Sequence, residues 1–333
     1  MQIYKNDNYK ELLENIGNVF SQARQNAVQS VNRELVKAYW ETGRHIVEYE
    51  QNGSIKAEYG KSLLENISRD LKIQYGKGFS RSNLTYMRLF YIKFPICETA
   101  SRKLSWSHYF ELLKISDDLA RGFYEKQCIN ENWSVRELKR NVDSALFQRL
   151  ALSRDKEGVL DLSKKGHIAN KPEDLVKDPY ILEFLNIPQS YKLSEKHLEQ
   201  KIIDNLQTFL MELGKGFTFV SRQYRITLAN THYYVDLVFY HRILKCFVLI
   251  DLKINEVKHH DIGQMNMYLN YFKTEENVAD DNEPVGIILS ADKDDILVEY
   301  ATGGLSNKLF VSKYQLYLPD RKLLEDRLKM LLG

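Results

Sequence analysis

The sequence predicts a helical (α) N-terminal domain followed by an α/β C-terminal domain, a mixed sheet flanked by helices with an αβββαβ core. Three observations predict it. Apolar residues recur at three- and four-residue spacing through the first 150 residues. From about 194 the pattern changes to extended runs rich in β-branched and aromatic residues: FTFVSRQYRITL, YYVDLVFYH and KCFVLIDLK. Charge divides along the same line, with 23 basic and 18 acidic residues in 1–150 against 24 and 27 in 151–333.

Taken in order, LVKAYWETGRHIVEY places Leu35, Ala38, Tyr39, Ile46, Val47 and Tyr49 at helical spacing. Further helices are predicted over 57–75, 81–93, 106–115, 117–130 and 134–150, with serines beside Trp106 and Trp133 placed to open two of them. Periodicity fades over 151–192, where Pro172, Pro179 and Pro188 fall. That segment reads as a connector with short helices, between a helical domain at 1–150 and a second domain at 193–333. Ser194 is placed to cap a helix running to about 213, with Leu198, Ile202, Leu206, Phe209 and Leu213 on one stripe. The short ANT turn makes the first two extended runs an antiparallel hairpin. Consecutive apolar residues make the third a central strand covered on both faces. A helix over 259–273, a strand at 284–290, a helix near 293–301, a strand over 309–317 and a leucine-rich helix from about 320 complete the chain.

Composition excludes several classes. Cys97, Cys128 and Cys246 are too few and too scattered for a disulfide scaffold or a CxxC zinc site. Apolar runs such as CFVLI at 246–250 fall far short of the roughly 20 residues needed to cross a membrane, so no membrane partner is expected. The opening MQIYKNDNYKELLENI has no signal-peptide core, and a cytoplasmic location is expected. The net charge of +2 conceals a contrast: 69–103 holds eight basic residues against Asp70 and Glu98, whereas 251–300 holds twelve acidic residues against four basic. A basic module ahead of an acidic one suits a metal-dependent enzyme acting on nucleic acid.

The chemistry concentrates on the second and third runs. The two-residue period puts Asp236 on the face of Tyr234 and Val238, and Asp251 with Lys253 on a face opposite Leu252. A carboxylate ending an apolar buried strand is costly unless something pairs with it. Asp236 and Asp251 offer hard oxygen ligands to Mg²⁺ or Mn²⁺, and Lys253 stands where it would orient or deprotonate an attacking water. A DxK tripeptide also reads as a surface ion pair; its place on consecutive apolar strands singles it out. On the following helix Gln264 and Tyr268, four apart, share a face toward the site, or are a core aromatic and its exposed neighbour. Glu199 and Gln223 are further candidates, each equally readable as a solvated residue.

The segment YYVDLVFYHRILKCFVLIDLK followed by GQMNMYLNYF resembles the C-terminal nuclease domain of the YhcG-like family, within the PD-(D/E)xK superfamily. YWETGRHIVEYEQ, YGKGFSRSNLTYMRLFYIKFP, LSWSHYFELLKI and WSVRELKRN resemble the same family's helical domain, so the likeness spans roughly 10–320. It implies a restriction-endonuclease-like core and a metal-dependent nuclease activity on DNA. By this likeness the motif acids fall on Asp236 and Asp251, the lysine on Lys253, and the helix motif on Gln264 and Tyr268, with Glu199 and Gln223 in support. Val235 stands in place of the superfamily's proline. Asp251 stands where the family usually carries Glu, one methylene shorter.

In the helical half, residues 57–75, the GKGF turn at 76–79 and the helix opened by Ser80 read as a helix-turn-helix-like unit. Arg81, Asn83, Tyr86 and Arg88 would then face a DNA groove or backbone; the alternative is a docking or dimerisation domain with solvated arginines. The function expected is hydrolysis of DNA phosphodiesters. The alternative is a catalytically quiet nucleic-acid- or partner-binding module that retains the nuclease fold. Expected partners are DNA, a second copy, which duplex cleavage by one site per chain would favour, and proteins of a restriction, repair or mobile-element system.

Overall fold

The computed structural model describes residues 7–52, 58–94, 103–188 and 193–332. Cys97, Glu98, Arg102, the first residue of the 57–75 helix and the end of the 151–192 connector lie outside them. The chain forms two compact units that meet between Leu138 and Lys139.

The first unit is helical: α1 (Asp7–Asn52), α2 (Glu58–Tyr75), α3 (Arg81–Lys93), α4 (Trp106–Leu112), α5 (Asp118–Glu131) and the start of α6 (Val135–Asp143). Ser80 accepts a hydrogen bond from Asn83 N and Asp117 from Leu119 N, each satisfying an orphan donor of the helix it opens. Gly76 (φ +80°) and Gly78 (φ +125°) let the GKGF turn reverse the chain between α2 and α3. Ile46, Leu84 and Met87 are buried together, and α1 touches α3 so closely at Gly43 that an added Cβ would lie 2.0 Å from Met87 O.

The second unit continues with α7 (Leu146–Leu152) and α8 (Lys156–Lys165), then β1 (Tyr180–Ile181), α9 (Glu195–Asp204), α10 (Leu206–Leu213), β2 (Phe217–Leu228), β3 (Thr231–His241) and β4 (Cys246–Glu256). It closes with α11 (His259–Tyr271), β5 (Val285–Asp292), α12 (Asp295–Thr302), β6 (Lys308–Gln315) and α13 (Arg321–Leu332). Among the described residues six strands form one sheet, in the order β1-β6-β5-β4-β3-β2. β2, β3 and β4 are antiparallel neighbours, whereas β4–β5, β5–β6 and β1–β6 are parallel. A mixed sheet results, with β4 at its centre. Val248, Ile250 and Leu252 pack under Leu198, Ile202 and Phe209 of α9 and α10. Leu249 packs on the other side with Met265, Tyr268 and Leu269 of α11. The continuous apolar run of β4 is therefore what a strand covered on both faces requires.

The long helix predicted from 194 is two helices. Asn205 (φ −120°, ψ 28°) breaks it, its side-chain amide donating to Lys201 O at 3.0 Å. The helix predicted over 134–150 likewise divides at Ala145, which adopts φ +52°. Within 151–192, β1 pairs with β6, and Leu175, Tyr180, Leu182 and Leu185 are buried in the α9–α10 side of the core. Glu212 of α10, fully buried, binds Arg149 Nη1 (2.8 Å), Arg140 Nη1 (3.1 Å) and Ile181 N (3.0 Å), tying α6, α7 and β1 to α10. Among the described residues no helix is long and apolar enough to cross a membrane.

Candidate active site

The β3–β4 ladder ends at the pair Leu237–Ile250. The next positions outward are Asp236 and Asp251, facing each other where the strands part. Asp236 Oδ2 accepts the Leu252 N–H at 2.8 Å, standing in for a ladder carbonyl. Beyond this fork β4 continues against β5 through Lys253–Ser290. Two carboxylates are thereby presented at the open end of a rigid central strand.

Gln223 lies across from Asp236, between the pairs Arg222–Leu237 and Tyr224–Val235. Its backbone takes φ +46°, an unfavourable region for a side-chain-bearing residue within a strand. From there its amide donates to Asp236 Oδ1 at 2.9 Å and to Glu199 Oε2 at 2.7 Å. One neutral donor thus bridges two carboxylates. Glu199 is 6% exposed, and the Arg222 guanidinium approaches its other oxygen at 3.7 Å while donating to Gln200 at 2.9 Å. Glu199, Gln223 and Asp236, with Arg222 and the first turn of α9, line an open cleft of 690 Å³.

Asp251 is 5% exposed and pairs with Lys253 Nζ at 2.8 Å; the ammonium also reaches Asp261 Oδ1 at 3.6 Å. Burial, the charge of Asp236 and, more weakly, that of Asp261 push the Asp251 carboxyl up to about 7, against the pull of Lys253. Burial raises Asp236 too, opposed by the Leu252 N–H and Lys253. For Lys253 burial favours the neutral amine, but Asp251, Glu195 and Asp261 outweigh it and hold the proton more tightly than usual.

On α11, Gln264 donates to the Tyr268 hydroxyl at 2.7 Å, which donates to Tyr234 O at 3.1 Å. Burial, then the charges of Asp251 and Asp236, raise the Tyr268 phenol to about 12, so it stays protonated beside the acids. The structure therefore brings together all seven C-terminal residues singled out in the sequence. It adds Asp261, which accepts from Lys258 N at 2.8 Å as it opens α11, as well as Glu195 and Arg222. An acid three residues into a helix that follows a DxK strand was the available signal for Asp261.

The four residues named in the helical unit are engaged within it. Arg81 pairs with Glu65 at 3.1 Å and Arg88 with Glu50 at 2.7 Å. Asn83 donates to Gly78 O and accepts from Trp106 Nε1, and Tyr86 lies against Phe110 with ring centroids 4.1 Å apart. Arg81 keeps 63% of its side chain exposed.

Among the described residues no three acidic, histidine or cysteine side chains converge closely enough to hold a metal by themselves. The donor chemistry nevertheless fits a divalent cation. Asp251 and Asp261 flank the Lys253 ammonium, and Glu199 and Asp236 share the Gln223 amide beside them, so the donors are hard carboxylate oxygens. Mg²⁺ is commonly held by one or two carboxylates, with water and substrate oxygens completing the shell.

A family model described as the YhcG PDDEXK nuclease domain matches residues 173–329, and one described as the DUF1016 N-terminal domain matches 15–149. Over an alignment 352 positions long the chain is 37% identical to "Putative nuclease YhcG" of Escherichia coli (strain K12), covering 96% of this chain and 93% of that one. Among solved structures, a repair endonuclease from Pyrococcus abyssi (18% identity, TM-score 0.27) matches 40% of this chain and 50% of its own. EndoMS in apo form (15%, TM-score 0.25) matches 39% of this chain and 48% of its own. Neither score adds to the fold traced above. The 37% identity across nearly the whole of both chains decides the assignment: this chain belongs to the YhcG family of PDDEXK nucleases.

Proposed function

We propose that the chain is an endonuclease that hydrolyses DNA phosphodiester bonds with Mg²⁺ or Mn²⁺, using Asp236, Asp251 and Lys253. The observation that carries this reading is the fork at the end of the β3–β4 ladder, where two carboxylates of raised pKa face each other beside a protonated lysine. Asp236 and Asp251 would hold the cation, which when bound polarises a phosphoryl oxygen and makes its water more acidic. Lys253, held protonated, orients water and offsets charge on the phosphate instead of removing a proton. Gln223 keeps Glu199 and Asp236 in register, and Tyr268 and Gln264 fix the wall that α11 presents to the acids. In the helical unit, DNA or partner contact rests chiefly on the exposed Arg81.

Purified protein is expected to cut a DNA substrate only with added Mg²⁺ or Mn²⁺. Asp251→Ala should lower the rate more than about 10²-fold, because a metal carboxylate supplies several kcal/mol of transition-state stabilisation. Cleavage by that variant at an undiminished rate would overturn the site. DNA binding without cleavage under any metal would favour a quiet module.

A further inference from the structure

The first half of α1 carries an apolar face that none of the described residues of its own unit covers. Every residue from Lys10 to Leu35 is exposed except the half-buried Asn32. Yet Leu13, Ile16, Phe20 and Val31 fall on one side of the helix, each between 46% and 63% exposed, with Val19 and Val28 at its two margins. Leu13, Ile16, Phe20, Ala23 and Ala27 follow the alternating three- and four-residue step of a helix–helix seam. The opposite side holds Asn15, Asn18, Gln22, Gln25, Gln29 and Asn32. Scattered exposed apolar residues need no explanation, but a contiguous stripe of this length marks an interface.

We infer that this stripe pairs with itself: two copies of the chain associate through an antiparallel helix pair formed by residues 12–35 of α1. Charge argues against other classes of occupant. Lys10, Arg24 and Arg33 are balanced by Glu11, Glu14 and Glu34 over this stretch. A helix lying on a membrane or along nucleic acid would carry an excess of Lys and Arg. Area argues for a whole interface. With Leu12 and Leu35 at its ends, the stripe exposes on the order of 700 Å² per copy, close to the roughly 800 Å² per partner of a standard interface.

Side-chain size selects the antiparallel arrangement. Centred between residues 21 and 22, such a pair sets Phe20 against Ala23 of the second copy, Ile16 against Ala27 and Leu13 against Ser30. Large then faces small, and the layers fill. A parallel pair would stack Phe20 on Phe20 and leave the alanine layers at 23 and 27 underfilled. The inference does not depend on the nuclease chemistry.

The test is solution mass, by light scattering on the full-length chain at micromolar concentration. The expected mass is twice 39.1 kDa, falling to 39.1 kDa in Ile16→Glu/Phe20→Glu. Both positions are exposed, so helical circular dichroism should not change. A monomeric wild type, or a dimer that survives the double substitution, would overturn the proposal. Orientation is read by oxidative cross-linking, with the unsubstituted chain as baseline. Ile16→Cys/Ala27→Cys should form a covalent dimer, whereas neither single cysteine should, because like positions lie about 16 Å apart along an antiparallel pair. Cross-linking by each single variant would overturn the antiparallel pairing.

Discussion

Replacing Glu212 by Gln should destabilise the second unit by about 3–4 kcal/mol, although the side chain is fully buried, nearly isosteric and takes no part in the proposed chemistry. The carboxylate accepts from Arg149, Arg140 and the Ile181 amide, while Lys177 donates to the backbone oxygen of the same residue. Burial alone would raise its pKa. Arg149, Lys177 and Arg140 more than reverse that and hold it at about 2, against 4.5 for a free glutamate. At 1.36 kcal/mol per unit that difference is about 3 kcal/mol. The same size follows independently from breaking a buried ion pair, about 3–5 kcal/mol, because the Arg149 guanidinium stays buried when its carboxylate partner is lost. Since the folded pKa lies below the unfolded one, this stabilisation is complete above pH 4.5 and disappears as pH falls toward 2. Urea unfolding of wild type and Glu212→Gln at pH 7 and at pH 3 measures both statements. The gap should be about 3–4 kcal/mol at pH 7 and clearly narrower at pH 3. A loss below 1 kcal/mol, or a gap independent of pH, would refute the reasoning.

Three further outcomes are expected. Gly43→Ala should lower the stability of the helical unit by about 1–3 kcal/mol or more, read by thermal melting, because the new methyl meets backbone, Met87 O at 2.0 Å and Met87 C at 2.7 Å, which cannot swing aside. Gln223→Ala should cut the cleavage rate about 10-fold or more with the fold intact by circular dichroism, since Glu199 and Asp236 lose their shared donor. Tyr268→Phe should cost about 1 kcal/mol in denaturant unfolding, the hydroxyl being a buried link from Gln264 to Tyr234 O; an unchanged midpoint would mean that link carries no weight.

The elements were legible because their signals are local. Cys246–Glu256 announces a central strand by its unbroken apolar run, and the same run displays Asp251 and Lys253 as exceptions to it. What spacing alone did not fix was register. Asp236 and Asp251 face each other only because His241 pairs with Cys246, which sets every later pair; a slip of one residue would turn one of them to the other face. Three departures share a different cause. Asn205 ends a helix whose apolar stripe continues past it, Ala145 reverses the chain without a glycine, and β1 has only two residues. None changes the hydrophobic period, so none is visible to an argument based on it.

Charge shows the same limit from the other side. The excess of basic residues over 69–103 suggested a phosphate-attracting face, but the field depends on where the acids fold. Arg69 meets Asp70 next to it, while Arg81 meets Glu65, Lys93 meets Asp118, and Arg88 meets Glu50, 38 residues earlier. Each of these surface pairs contributes little to stability, yet each opposes the charge its arginine or lysine projects into solvent. At the active site the reverse holds. Glu199, Asp236, Asp251 and Asp261 come from four different elements, yet the fold brings Asp251 and Asp261 to the Lys253 ammonium and Glu199 and Asp236 to the Gln223 amide. This gathering of acids is therefore a property of the folded sheet fork and not of any one stretch of sequence.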